Sequence, residues 1–143
     1  MRDNGKDLGI LVSDIHAIVW RPHGIADDWT DVEKDAVVWV SVSALDGAWS
    51  SVTDEYVGAK GVGSNQAWKY SGFEGWFANA QYVDMSSLCL DGEGRPSFTN
   101  GRHRFAWLRD QGLAALPIEV PPSEVCVFGA RFGSDARIGT IIS

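Results

Sequence analysis

The segment from Pro96 to Val120 limits the possible folds of this chain more than any other part of it. It reads as strand, turn, helix and strand in quick succession. Pro96 to Thr99 has strand composition, Asn100 is a good helix N-cap after it, and Gly101 lets the backbone turn closely. Gly112 stands eleven positions after Gly101, where a helix end in the left-handed conformation favours glycine. Phe105 and Leu108 share a helical face with Gly101 and Gly112, which predicts a helix to about Gln111 with that face on a sheet. Leu116 to Val120 supplies the next strand, and Pro121-Pro122 ends it. A helix framed in this way commits the chain to an α/β (α+β) fold, a mixed sheet with helices packed against it. With 143 residues, one domain spanning 1–143 is the expectation, large enough to bury a core without staples.

Further elements follow from local pattern. Ala17 to Arg21 is a strand candidate stopped by Pro22, and a polar loop continues through Asp35. Val37 to Val42 is a β-branched and aromatic run that fits a buried strand. Ser43-Ala44-Leu45-Asp46 resembles a capping box and predicts a short helix to about Val52. Residues 58–66 hold three glycines and few apolar groups, which predicts a mobile surface loop. Ser71-Gly72-Phe73-Glu74 matches the full capping-box pattern, and Phe73, Trp76 and Phe77 would form one apolar face of a helix to about Ala80. Ser87 to Asp91 and Pro96 to Thr99 flank Gly92-Glu93-Gly94-Arg95, the composition of a hairpin turn.

Charge is unevenly distributed along the chain. The formal net charge of −7 argues against broad, tight binding to nucleic acid. Yet Arg95, Arg102, Arg104 and Arg109 fall between 95 and 109 with no acidic residue among them, while Asp27, Asp28, Asp31, Glu33 and Asp35 crowd one stretch. A positive pocket on an acidic body suits a small anionic ligand, and the acidic stretch could serve a basic partner or be a solvated loop. Seven tryptophans exceed the needs of a core this size, so some are expected at the surface, where tryptophan anchors interfaces. Cys89 and Cys126 fit neither a zinc spacing nor a disulfide framework and read as buried apolar filler. His16 and His23 flank Pro22 and read as satisfied or solvated. No leader or long apolar run is present, which predicts a cytoplasmic protein without membrane insertion.

The turn at Asn100-Gly101-Arg102-His103-Arg104 carries the candidate chemistry. A helix start after a strand exposes backbone N–H groups at the positive end of the helix dipole, which makes it an anion site. Arg102 and Arg104 add charge, arginine can hold a phosphate through paired hydrogen bonds, and His103 can donate or accept near neutral pH.

The segment 97–121 resembles the strand-turn-helix of the ParB/sulfiredoxin superfamily, in the order Asn100, Gly101, Arg102, His103, Arg104, then Ala106, Leu108, Gly112 and Pro117-Ile118. The resemblance implies a turn that binds nucleotide or nucleic-acid phosphates. Arg102 stands where sulfiredoxins place a catalytic cysteine, so reductase chemistry is not implied. The acidic residue and separate DNA-binding domain of partition ParB proteins are also missing, which argues against CTP-dependent clamping.

A closer resemblance is to the plasmid fertility-inhibition and oncogenic-suppression proteins, which carry a similar Phe-Thr-Asn-Gly-Arg-His-Arg-Phe-Ala-Trp-Leu-Arg-Asp segment and a strand like Trp39 to Val42. It implies a protein that blocks DNA or effector export by a conjugation or type IV secretion machine, with the coupling ATPase as expected partner. It also implies ATPase or DNase activity, with ATP or another nucleotide and Mg²⁺ as cofactors and DNA as a possible partner. Two alternatives stay open. A nucleotide-dependent nuclease would need metal-binding carboxylates near the turn, and Asp91, Glu93 and Asp110 are nearest in sequence without a diagnostic spacing. An acidic immunity protein against a basic nuclease toxin is the other.

Overall fold

The computed structural model describes residues 14–22 and 35–142. Among these residues, seven strands form two sheets. The larger contains β2 (Ala36–Ser41), β4 (Ser86–Leu90), β5 (Pro96–Asn100) and β6 (Ala115–Val120) in the order β2-β6-β4-β5. β2 runs antiparallel to β6, β6 parallel to β4, and β4 antiparallel to β5, so the sheet is mixed as expected. The smaller sheet, which the sequence pattern did not announce, sets β1 (Val19–Arg21) parallel to both β3 (Val83–Asp84) and β7 (Thr140–Ile141). Its outer strands have two residues each, too short for a periodicity to show.

Among the described residues, four α-helices accompany the sheets: α1 (Val42–Trp49), α2 (Ala67–Phe77), α3 (Arg102–Asp110) and α4 (Val125–Phe132). Together the elements make the α+β architecture. α3 connects β5 to β6, and every residue of β6 is buried because the strand is central in the sheet. α3 ends in a Schellman motif. Gly112, at φ 89°, donates its N–H to the Arg109 carbonyl, and Leu113 donates to the Leu108 carbonyl. The predicted helix end at Gln111 and Gly112 is therefore confirmed in detail.

Several local expectations shift by a few residues. The first strand begins at Val19, because Asp14 caps a 3-10 turn over Ile15–Ala17. β2 stops at Ser41 and is half-buried, with Val38 and Val40 inward and Val37 39% exposed. Ser41, not Ser43, caps α1 by accepting from the Ala44 N–H at 3.2 Å, and the helix ends at Trp49, short of Val52. Ser71 caps nothing, for α2 begins four residues earlier, at Ala67, and ends at Phe77 rather than Ala80. Cys126 is exposed and Cys89 half-buried, so neither is buried filler. The β4–β5 hairpin stands as expected, with Asp91 accepting from the Glu93 and Arg95 N–H groups across the turn.

The loop 58–66 differs most from expectation. It contains a 3-10 turn at Ala59–Gly61, buries Gly61 against Tyr70 and is bonded to both ends of α3. At one end, Ser64 Oγ shares a hydrogen bond with His103 Nε2 at 2.7 Å. At the other, Asp110 accepts from the Lys60 N–H at 3.0 Å and from the Tyr70 hydroxyl at 2.6 Å. Lys60 is the one non-glycine residue with positive φ among the described residues, at 58°, and the Asp110 carboxylate offsets that backbone strain.

Candidate functional site

Backbone geometry at the start of α3 builds the site. β5 extends through Asn100, so Asn100 closes the strand and Gly101 takes the N-cap position instead, at φ 87° with no side-chain cap hydrogen bond. The expected Asn100 cap is corrected for a steric reason. A Cβ at position 101 would overlap the Arg104 guanidinium and Ser86 Oγ, so glycine is needed where chain and arginine cross. Ser86 donates to the Gly101 carbonyl at 3.0 Å, which fixes the turn on β4.

A cavity of about 330 Å³ opens at this turn, at the small end of the roughly 300–1,000 Å³ usual for ligand pockets. All five residues singled out in the sequence, Asn100 to Arg104, line it. Gln66, Lys69 and Phe73 from the start and middle of α2 complete the wall, with Phe98 and Thr99 of β5. Sequence reading did not find Gln66 or Lys69, since they lie on a separate helix with no motif linking it to the turn. Among the described residues, no carboxylate belongs to the lining.

Each basic side chain has a distinct setting. Arg102 donates to the Glu55 carbonyl at 2.8 Å. Arg104 reaches inward and donates to the Met85 carbonyl at 3.3 Å, while its buried Nε meets no acceptor among the described residues. Burial presses its guanidinium below the usual value against the opposing charge of Asp84. His103 is buried beside Ser64, and burial, then the charges of Arg102 and Lys69, hold its pKa below the ordinary histidine value.

The run of four arginines divides in space. Arg95 pairs with Asp91 at 2.8 Å, and Arg109 pairs with Asp46 and Asp110 at 2.9 Å each, so both are taken up in ion pairs away from the cavity. Positive charge at the site comes from Arg102, Arg104 and Lys69. Asp91, Glu93 and Asp110, the carboxylates considered for a metal, sit in the hairpin turn or at the far end of α3. His16 is solvent-facing beside Asp14. His23, Trp29 and the acidic run from Asp27 to Glu33 lie outside the described residues, and Asp35 immediately precedes β2.

The sequence matches the family model of plasmid fertility inhibition factors over residues 37–133, which take in the whole turn and both walls of the cavity. The chain belongs to the plasmid fertility inhibition factor family. A solved crystal structure, that of an oncogenic suppression activity protein described as a plasmid fertility inhibition factor, has the same fold with a TM-score of 0.57. The two share 21% identity, and the match covers 77% of this chain and 63% of the other, so this chain spans less than two thirds of that protein. No curated protein matches the sequence. Neither match reaches the broader ParB/sulfiredoxin superfamily, and that likeness rests on residues 97–121. Among the described residues, no helix of this fertility inhibition factor is long and apolar enough to cross a membrane.

The protonation of His103 makes the site testable by pH. An anion in the cavity favours the charged imidazole, so its binding raises a pKa that is depressed in the free protein. Sulfate affinity is expected to rise as pH falls below about 6.5, with proton uptake on binding. Sulfate keeps its charge over this range, which isolates the protein's contribution. Calorimetric titration should show this slope in the wild type and a nearly flat profile in His103→Gln.

Proposed function

We propose that this chain inhibits plasmid transfer by binding a component of the conjugative or type IV secretion machinery, with the coupling ATPase as the expected target, and that its 100–104 turn binds a phosphate group. The family match over 37–133 carries the first part of this reading. Fertility inhibition needs a protein partner in conjugation. The phosphate reading is supported by the site's own chemistry.

The α3 N-terminus has no side-chain cap among the described residues, and three cationic side chains line the cavity. Arginine and lysine at these positions suit a phosphate, whether free or on a nucleotide such as ATP. Among the described residues the lining offers no carboxylate, so its donor set fits the phosphate oxygens better than a Mg²⁺ ion. Binding rather than catalysis is therefore the activity favoured for the turn.

A mating assay beside an ATP titration tests both parts. Substituting Arg102 and Arg104 together with alanine is expected to weaken nucleotide binding at least about tenfold yet leave part of the inhibition of transfer. Trp107 gives the optical signal. It packs on Phe73, which lines the cavity, at a ring separation of 5.3 Å. Mg²⁺-dependent DNA cleavage that disappears together with inhibition in the double variant would instead make the protein a nuclease.

A further inference from the structure

Helix α2 carries aromatic side chains around most of its circumference. Tyr70 and Phe77 are buried in the core, and Phe73 lines the cavity. Trp68 and Trp76, however, are 67% and 49% exposed. A surface helix ordinarily turns a polar face to water, and α2 exposes these two indoles on a different side from its exposed Ser71 and Glu74.

The exposed face has a definite shape. Trp68, Gly72 and Trp76 recur at intervals of four and so share one side of the helix. Apart from the helix's own backbone and the adjoining residues, no atom of the described residues lies within 4 Å of where a Cβ would stand at Gly72 or Gly75. Each glycine costs a helix interior about 1 kcal/mol relative to alanine, and nothing packed against these two within the described residues requires a missing side chain. They leave backbone open between two indole rings, which is space for an incoming side chain.

This face is continuous with the cationic cavity. The Phe73 and Trp76 rings lie 5.3 Å apart, and Lys69 Nζ stands 5.5 Å from the Trp68 ring centre. Phe73 and Lys69 both line the cavity, whose wall also has Arg102 and Arg104. A second copy would bring the same cations against this rim, whereas an acidic apolar segment would pair with it.

We propose that the Trp68–Trp76 face of α2 is the docking surface for an acidic amphipathic helix of a partner protein, whose apolar side chains seat between the indoles over Gly72 and whose carboxylates meet Lys69 and Arg102. The inference rests on the proposed inhibition by binding and deepens it by naming the surface and the partner's chemistry. Tryptophans at the centre of such a surface act as anchors. Ring stacking on Phe73 places one anchor against the cavity wall.

The test compares the full chain with a Trp68→Ala/Trp76→Ala variant, whose exposed positions leave the core intact. The probe is a peptide of about 14 residues, cross-linked into a helix because isolated helices of that length are marginal in water, with Leu on one face and Glu on its flanks. A second peptide carries Lys in place of each Glu. Calorimetry should show saturable binding of the acidic peptide to the wild type, weakened at least about tenfold both by the double substitution and by the Lys peptide. Equal binding by the two proteins, equal binding of the two peptides, or no binding of the acidic one overturns the proposal. So does sedimentation showing a wild-type dimer that the double variant converts to monomer, since the occupant would then be a second copy. In the mating assay the double variant should lose inhibition, and full inhibition by it also overturns the docking surface. A wild type that fails to inhibit transfer removes the proposed function itself, while the peptide measurements still decide the surface.

Discussion

Gly101→Ala is expected to lower the melting temperature by about 10 °C and to weaken sulfate binding more than tenfold. Two effects combine. At φ 87° an L-residue other than glycine costs about 1–2 kcal/mol. The added methyl would also overlap the Arg104 guanidinium and Ser86 Oγ, so the arginine or the turn must give way. A total of about 2–4 kcal/mol is then on the scale of the melting shift. Thermal unfolding followed by circular dichroism measures the first effect and sulfate titration the second. An alanine variant that melts and binds as the wild type does would show that the turn is not built around this glycine.

Trp49→Ala is expected to cost about 3–5 kcal/mol, a large share of the roughly 5–15 kcal/mol that holds a domain together. Trp49 is fully buried, with its ring 4.5 Å from Phe98, 4.7 Å from Tyr56 and 5.6 Å from Phe105. Its indole N–H donates to Glu55 at 2.7 Å, and the same carboxylate accepts from Ser97 Oγ and the Phe98 N–H on the edge strand β5. The truncation therefore opens a cavity and loosens the residue that holds β5 beside the site. Urea unfolding should show a markedly lower midpoint. Trp68→Ala is the control, since removing an exposed ring should change stability by no more than about 0.5 kcal/mol. Similar midpoints for the two variants would contradict the division of the tryptophans between core and surface.

How much of this was legible in the sequence depended on whether the signal was local. Strand, turn and helix from Pro96 to Gly112 could be read because each step has its own chemistry over a few residues. The position of the cap was misread by one residue. Asn100 has the better capping side chain, but the crowding of Arg104 and Ser86 around residue 101 decides the geometry, and that crowding is tertiary. Ser43 and Ser71 matched capping patterns and failed because their helices begin earlier, α2 at Ala67 with no side-chain cap to announce it.

The site was legible on one wall only. Asn100 to Arg104 are contiguous, whereas Gln66 and Lys69 reach the cavity through the packing of α2 on α3. The arginine cluster overstated the charge there, since Asp91 just before the run, Asp110 just after it and Asp46 from α1 pair with Arg95 and Arg109. The tryptophan count announced surface aromatics, and burial identified Trp68 and Trp76 as the exposed pair among the described residues.

The lacing of loop 58–66 to both ends of α3 makes that helix a lever arm. His103 sits on its first turn and Asp110 on its last, and each holds a different point of the same loop. Local opening that frees Ser64 from His103 then bears on the Lys60 and Tyr70 attachments, and the segments open as one cooperative unit rather than fraying separately. An anion that orders the helix start would slow amide exchange around Lys60, at the opposite end of α3, with no contact of its own there.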